Sequence, residues 1–338
     1  MALEASIREA LSHPPCAVAF SGGRDSSALL ALAVQVSQRE GLPPPIAITC
    51  VYDDPNTDEL AWRRIVLDHL GVDDVEVFIT DEHVQTGAPG EAMYRRNGLQ
   101  FPSNSIGNMT LAERIPGGTL ISGTGGDEML GWTADPVFRW FRHQRPRLKD
   151  VARFAKLRRP GASADVGHFM LREHHWIRDS ARPRLEKLMG GGELANPARF
   201  DAAIRAFVSA RYYLAMQQSR RAAGDFAGAT IVAPFFDRRF MAAWANANRR
   251  AGPRDRSAAM DQLFGDLLPT QTLHRQSKAG FNAAYHRVDE EFLSEWKGEG
   301  VPTELVDIEA LRHEWSKPAP HGMANLLLQR AYFTWKQA

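Results

Sequence analysis

Short apolar runs separated by stretches of helical periodicity organise the first 135 residues. Cys16–Phe20 (CAVAF), Pro45–Tyr52 (PIAITCVY), Val75–Thr80 (VEVFIT) and Thr119–Ser122 (TLIS) read as buried strands. Leu29, Leu32, Ala33 and Val36 repeat at helical spacing and predict a helix over Asp25–Gln38. Asn56 or Thr57 can cap a second helix that runs to Leu70 and stops at Gly71. Strands that alternate with helices and are apolar throughout predict an α/β fold, a doubly wound parallel sheet covered on both faces. Such sheets bind ligands beyond the carboxyl ends of their strands. Chemistry is therefore expected just after Phe20, Tyr52, Thr80 and Ile121.

From about Ala134 the strand signal fades. Phe200, Ile204, Phe207, Val208 and Tyr212 form one amphipathic stripe, and Leu326–Lys336 predicts a terminal helix. Arg158–Gly167 and Gly190–Asn196, rich in Gly, Pro, Ala or Ser, read as loops. The expected division is an α/β lobe over residues 1–135 and a mainly helical C-terminal lobe over 136–338 that closes over the sheet's ligand-binding edge.

Composition narrows the classes. With 44% hydrophobic residues in 338, the chain can bury a large core and is not disordered. Forty-one Lys and Arg against forty Asp and Glu argue against a dedicated nucleic-acid or membrane-surface binder. Two cysteines, Cys16 and Cys50, are too few for a disulfide framework and read as core thiols. No apolar run reaches membrane-spanning length and no signal-like segment opens the chain, so a reduced, cytoplasmic location is expected.

Ser21-Gly22-Gly23-Arg24-Asp25-Ser26-Ser27 follows the first strand and opens a helix. Its glycines let backbone amides approach an anion, and the helix N-terminus adds partial positive charge. The hydroxyls of Ser21, Ser26 and Ser27 can donate to phosphate oxygens. Asp25 suits a bare phosphate poorly and makes sense with Mg²⁺ between carboxylate and phosphates. The string lacks the Gly-Lys-Ser/Thr ending of a Walker loop. Ser122-Gly123-Thr124-Gly125-Gly126-Asp127-Glu128 again follows a strand, and a carboxylate from it would complete a Mg²⁺ site with Asp25. Farther on, Arg275-Gln276-Ser277-Lys278-Ala279-Gly280-Phe281 carries two cations that could balance a leaving pyrophosphate. Ala233-Pro234-Phe235-Phe236-Asp237 reads as a core-lining turn that caps the next helix.

In this order the four strings resemble the synthetase domain of the asparagine synthetase family, whose phosphate loop is Ser-Gly-Gly-x-Asp-Ser. The resemblance extends over roughly residues 16 to 285 and includes Asp58–Gly71. It implies an ATP pyrophosphatase that adenylates a substrate carboxylate, releases pyrophosphate, and lets an amine displace AMP to form an amide. By position, Asp25 and Asp127 would hold Mg²⁺. Ser21, Gly22, Gly23, Ser26, Ser27 and Gly123 would cradle ATP or pyrophosphate, and the backbone of Thr49 to Val51 would face adenine. Lys278, with Arg275, Asp127 and Glu128, would make up the catalytic set. Thr124 stands where ammonia-using members carry a glutamate, and threonine is no base at neutral pH. The first strand begins at Cys16, before which no glutaminase domain fits, so the nitrogen is expected from ammonia or a substrate amine.

These departures point toward relatives that join a carboxylate to an amine of a larger metabolite or peptide, such as β-lactam-forming synthetases and lasso-peptide macrolactam cyclases. A separate peptide-recognition or amine-supplying partner is then expected. Thr124 and Trp132 are candidate acceptor-pocket residues, though core packing suits Trp132 equally. Residues 139–159 hold nine Lys and Arg against one Asp, either a basic lip or a solvated helix face. His174 and His175 lack a second cluster at zinc spacing. The competing classes are a tRNA-modifying pyrophosphatase, disfavoured by the balanced charge and the second loop, and a non-catalytic nucleotide-binding partner, disfavoured by Asp25, Asp127 and Lys278.

Overall fold

The computed structural model describes residues 2–80, 85–103, 105–132, 161–195, 197, 199–249, 251–277, 279–281, 284, 288 and 290–337. Its centre is a five-stranded, wholly parallel sheet: β1 (Cys16–Ala19), β2 (Ile46–Tyr52), β3 (Asp74–Ile79), β4 (Thr119–Ile121) and β5 (Thr230–Val232), in the order β3-β2-β1-β4-β5. Side chains alternate across it as the pleat requires. Val18 and Ile121 join one core with α1 (Ala2–Leu11) and α2 (Arg24–Glu40). Ala17 and Leu120 join the other, with α5 (Ser105–Ala112) and α9 (Arg211–Ala227). From β1 the chain winds outward to β2 and β3, then crosses back to β4 on β1's other side. The connections leaving β1 and β4 diverge and leave a crevice at their carboxyl ends.

The first four strands lie where the apolar runs predict them. Helix α2 ends at Gly41 and α3 (Leu60–Leu70) at Gly71, both in the left-handed conformation that glycine accepts without a Cβ clash. The expected cap at Asn56 or Thr57 is corrected. Pro55–Thr57 forms a 3-10 turn capped by Asp54, and α3 starts only at Leu60.

Beyond residue 135 the chain is mainly helical, as expected, and also supplies β5, whose Val232 sits beside Ile121. One expectation changes. The predicted loops are partly helical: α6 (Ala162–Leu171) takes in Gly167, and α7 (Arg182–Leu194) takes in Gly190. A Cβ on Gly167 would lie 1.7 Å from the Glu186 carbonyl, and one on Gly190 1.8 Å from that of Ser163. These glycines let α6 and α7 touch backbone to backbone.

The stripe of Phe200 to Tyr212 is split between α8 (Phe200–Val208) and α9 by a turn at Ser209–Ala210. Asp237 caps α10 (Arg238–Asn248) by accepting from the Arg239 amide, as the sequence predicts, with Phe235 and Phe236 buried before it. α11 (Arg256–Phe264) and α12 (Thr270–Leu273) follow. A third core gathers Trp176, Phe292, Trp296, Trp315, Leu328 and Phe333 around α14 (Ile308–Trp315) and α15 (Ala324–Trp335). Gln329 of α15 is tied to the first half by two buried hydrogen bonds, accepting from the Gln100 amide and donating to its carbonyl, each 3.0 Å. No helix among the described residues is long and apolar enough to cross a membrane. The basic run at 139–159 lies outside the described residues.

Candidate active site

A cavity of about 510 Å³ opens at the carboxyl ends of β1 and β4. Ser21, Gly23, Asp25 and Ser26 line it from one side, and Ser122, Gly123, Thr124, Asp127 and Glu128 from the other. Within the first loop the hydroxyls bond one another. The Ser26 hydroxyl accepts from the Ser21 amide at 3.2 Å, donates to the Gly23 carbonyl at 3.1 Å and lies 3.2 Å from the Ser21 hydroxyl. Gly23, the N-cap of α2, offers no side-chain cap. The first-turn amides of this 17-residue helix therefore remain available to an anion at the positive end of its dipole. Gly22, at φ +75°, is held close to Arg63, whose Cγ would lie 2.9 Å from an added Cβ. Ser27 is fully buried and does not line the cavity, so it does not sit where the sequence expectation put it.

The second loop packs directly on Asp25. A Cβ on Gly126 would lie 2.2 Å from the Asp25 carboxyl carbon, and one on Gly125 2.7 Å from the Phe236 ring. This contact brings Asp25 and Asp127 together, and Arg256 at the start of α11 donates to both carboxylates. Burial pushes the Asp25 carboxyl above its usual range even though Arg256 pulls the other way, and Asp127 adds to the rise. Asp25 Oδ1 is buried and accepts no hydrogen bond among the described residues. Two carboxylates that already share a cation, one with an oxygen left over, fit a divalent ion carried in on phosphate oxygens.

Glu128 accepts from the Tyr212 hydroxyl of α9 at 2.8 Å. Burial raises the Glu128 carboxyl, the Tyr212 bond lowers it, and Asp127 and Asp25 raise it further, for a net rise. Burial and Glu128 also raise the Tyr212 hydroxyl. The Thr124 hydroxyl lies 2.9 Å from that of Ser122.

Arg275 lies beneath the phosphate loop. It donates to the Gly22 carbonyl at 3.0 Å and pairs with Glu59, while its guanidinium covers the Trp62 ring at 4.6 Å. Its side chain is only 4% exposed, yet it also lines the cavity. Lys278 lies outside the described residues, and its neighbours Ser277 and Ala279 line the cavity. Thr49 and Val51 line an adjoining cavity of about 280 Å³ that shares Ser21, Cys50, Tyr52, Glu59 and Phe281 with the first. The Thr49 hydroxyl is committed to Asp74 at 2.8 Å. Cys16 is buried in the core, whereas Cys50 lines the cavity. Nothing is described of the Trp132 side chain; its backbone closes a π-helical turn over Glu128–Trp132.

Arg256, Tyr212, Arg220 and Asn108 line the cavity without a sequence signal to announce them. No curated protein matches the chain. A family model does: the asparagine synthase model matches residues 1–332, and the chain belongs to that family.

Proposed function

We propose that this protein is an AMP-forming carbon–nitrogen ligase that adenylates a carboxylate and couples it to an amine. Family membership supports ATP-dependent ligase chemistry. The observation that carries the finer reading is the meeting of Asp25 and Asp127, from loops after different strands, on one guanidinium at the sheet's open rim. The triphosphate lies along Ser21–Ser26 and the first turn of α2, with adenine toward the backbone of Thr49–Val51. Asp25 and Asp127 would hold Mg²⁺, which supplies charge neutralisation to the phosphates and the departing pyrophosphate. Arg256 offsets charge at the α-phosphate, and Lys278 joins it there. Arg275, locked to Glu59, keeps Gly22 and the loop in place.

In the first step a substrate carboxylate oxygen bonds to the α-phosphorus as the bond to pyrophosphate breaks. In the second, the amine nitrogen bonds to the acyl carbon and AMP leaves. Glu128 takes the amine's proton, a task that Thr124 cannot perform; its raised carboxyl and buried seat beside Tyr212 suit a base. An amine borne on a larger metabolite or peptide, as in macrolactam formation, suits a site whose second loop lacks the ammonia-associated glutamate.

The test is to incubate the protein with ATP, Mg²⁺ and a panel of carboxylates and resolve the nucleotide products. AMP and pyrophosphate in equal amounts, lost in Asp127→Asn and Arg256→Ala, support the assignment. ADP and phosphate, or release unchanged in both variants, would reject it.

A further inference from the structure

One ion pair in the cavity is incompletely made. Arg256 spreads its guanidinium over two carboxylates, Nη2 to Asp25 Oδ2 at 2.5 Å and Nη1 to Asp127 Oδ1, instead of forking onto one. Among the described residues its buried Nε–H donates to nothing, and Asp25 Oδ1 accepts nothing. A buried donor and a buried acceptor left over in one cluster mark an arrangement that a further group can complete. The backbone under Arg256 is fixed, since Asp255 caps α11 by accepting from the Ala258 amide at 2.9 Å. Any rearrangement therefore belongs to the Arg256 side chain.

Arg256 holds the carboxylates that a divalent ion would need. A bare hydrated Mg²⁺ gives up its water reluctantly. To admit it, the guanidinium would have to let go and remain mostly buried without a partner. Arg24, which opens α2 and lines the same cavity, adds a second positive charge that repels the bare ion. A triphosphate reverses these costs. Its oxygens offer the guanidinium a bidentate partner, and they carry the ion in already partly stripped of water.

We propose that Arg256 is a placeholder that keeps free divalent cations off Asp25 and Asp127 and yields only to a cation delivered on a nucleoside triphosphate. Its side chain then turns from the carboxylates to the phosphates. This rests on the ligase reading for the choice of Asp25 and Asp127 as metal ligands. It adds an order of binding, nucleotide and metal together, that the reading does not require.

The probe is Mn²⁺, whose free concentration is read by electron paramagnetic resonance, titrated into the full chain without nucleotide. Arg256→Met and Arg256→Gln remove the charge at similar length, and each should bind Mn²⁺ at least ten-fold more tightly than the wild type. Adding Asp25→Asn to Arg256→Met should abolish that gain, and Arg256→Lys, which keeps the charge, should stay near the wild type. A gain of affinity is the opposite of what a damaged fold would give. A second comparison needs no neutral residue at position 256: the wild type should bind Mn²⁺ no more tightly than Asp25→Asn combined with Asp127→Asn. Tighter binding by the wild type than by that double variant, no gain in the folded Arg256→Met or Arg256→Gln, or a gain that survives Asp25→Asn would overturn the proposal. Pyrophosphate release separates the two readings. Exclusion of Mn²⁺ without release on any carboxylate leaves the placeholder standing and the ligase reading lost, and release by a wild type that binds free Mn²⁺ at these aspartates does the reverse.

Discussion

Gly126→Ala is the substitution in which geometry fixes the outcome most sharply. The added methyl would lie 2.2 Å from the Asp25 carboxyl carbon and 2.5 and 2.6 Å from its two oxygens. Carbon atoms rest about 3.5 Å apart or more, so the carboxyl must retreat by more than about 1 Å. Asp25 is in the first turn of α2, and its side chain must rotate away from Asp127. A misplacement of about 1 Å in a reacting constellation costs on the order of 10²-fold in rate.

Stability should respond much less. Gly126 is not in the left-handed region, and alanine is favoured over glycine in a helical turn by about 1 kcal/mol, against about 1–3 kcal/mol for overpacking. Gly123→Ala is the control, since its methyl would sit at an ordinary 3.4–3.5 Å from Ser26 and Asp25. The assay is pyrophosphate release, with melting followed by circular dichroism. Gly126→Ala should lose about 10²-fold in rate, and Gly123→Ala less than about tenfold. A fully active Gly126→Ala would refute the claim that Asp25 must stand where it does.

Asp25→Asn tests the electrostatics from the stability side. Burial raises the folded-state carboxyl above its unfolded value, so ionised Asp25 opposes folding, and that loss grows as pH rises through the raised value. The variant should therefore be no less stable than wild type at pH 7, and the two should converge toward pH 4 in parallel urea titrations. Tyr212→Phe removes the bond that lowers the Glu128 carboxyl. If ionised Glu128 is the base, the acidic limb of the pH–rate profile should move to higher pH, with roughly ten-fold loss at neutral pH; an unmoved limb would place the base elsewhere. Glu59→Gln strands the buried Arg275 and should cost about 3–5 kcal/mol in denaturant unfolding.

The sheet's centre is legible because β1, β2 and β4 are apolar runs, and the glycine-rich turns after β1 and β4 carry the residues that converge. β5 escapes because Thr230–Val232 is too short for any period, and it becomes a strand only by pairing with β4. Gly167 and Gly190 read as loop formers, yet their role is to let two helices touch, which only the tertiary contact reveals. Tyr212 reads as part of an apolar stripe because its partner Glu128 lies 84 residues away. Arg256 is the largest omission. It follows Asp255, the cap of α11, and looks like an ordinary helix start; its meaning comes from packing against the turn after Asp127. Arg275 is conspicuous in sequence as a charge for pyrophosphate, whereas its pairing with Glu59 and its bond to the Gly22 carbonyl emerge only in the fold.

The account stands on two acidic loops jointly gripping a metal-bound nucleotide, and calorimetric titration of ATP with and without Mg²⁺ measures that grip without any acid substrate. Wild type should bind ATP at least ten-fold more tightly with Mg²⁺ than with chelator, and Asp25→Asn combined with Asp127→Asn should bind equally weakly in both. An affinity indifferent to Mg²⁺ in the wild type, or a Mg²⁺ effect that survives in the double variant, would contradict the account.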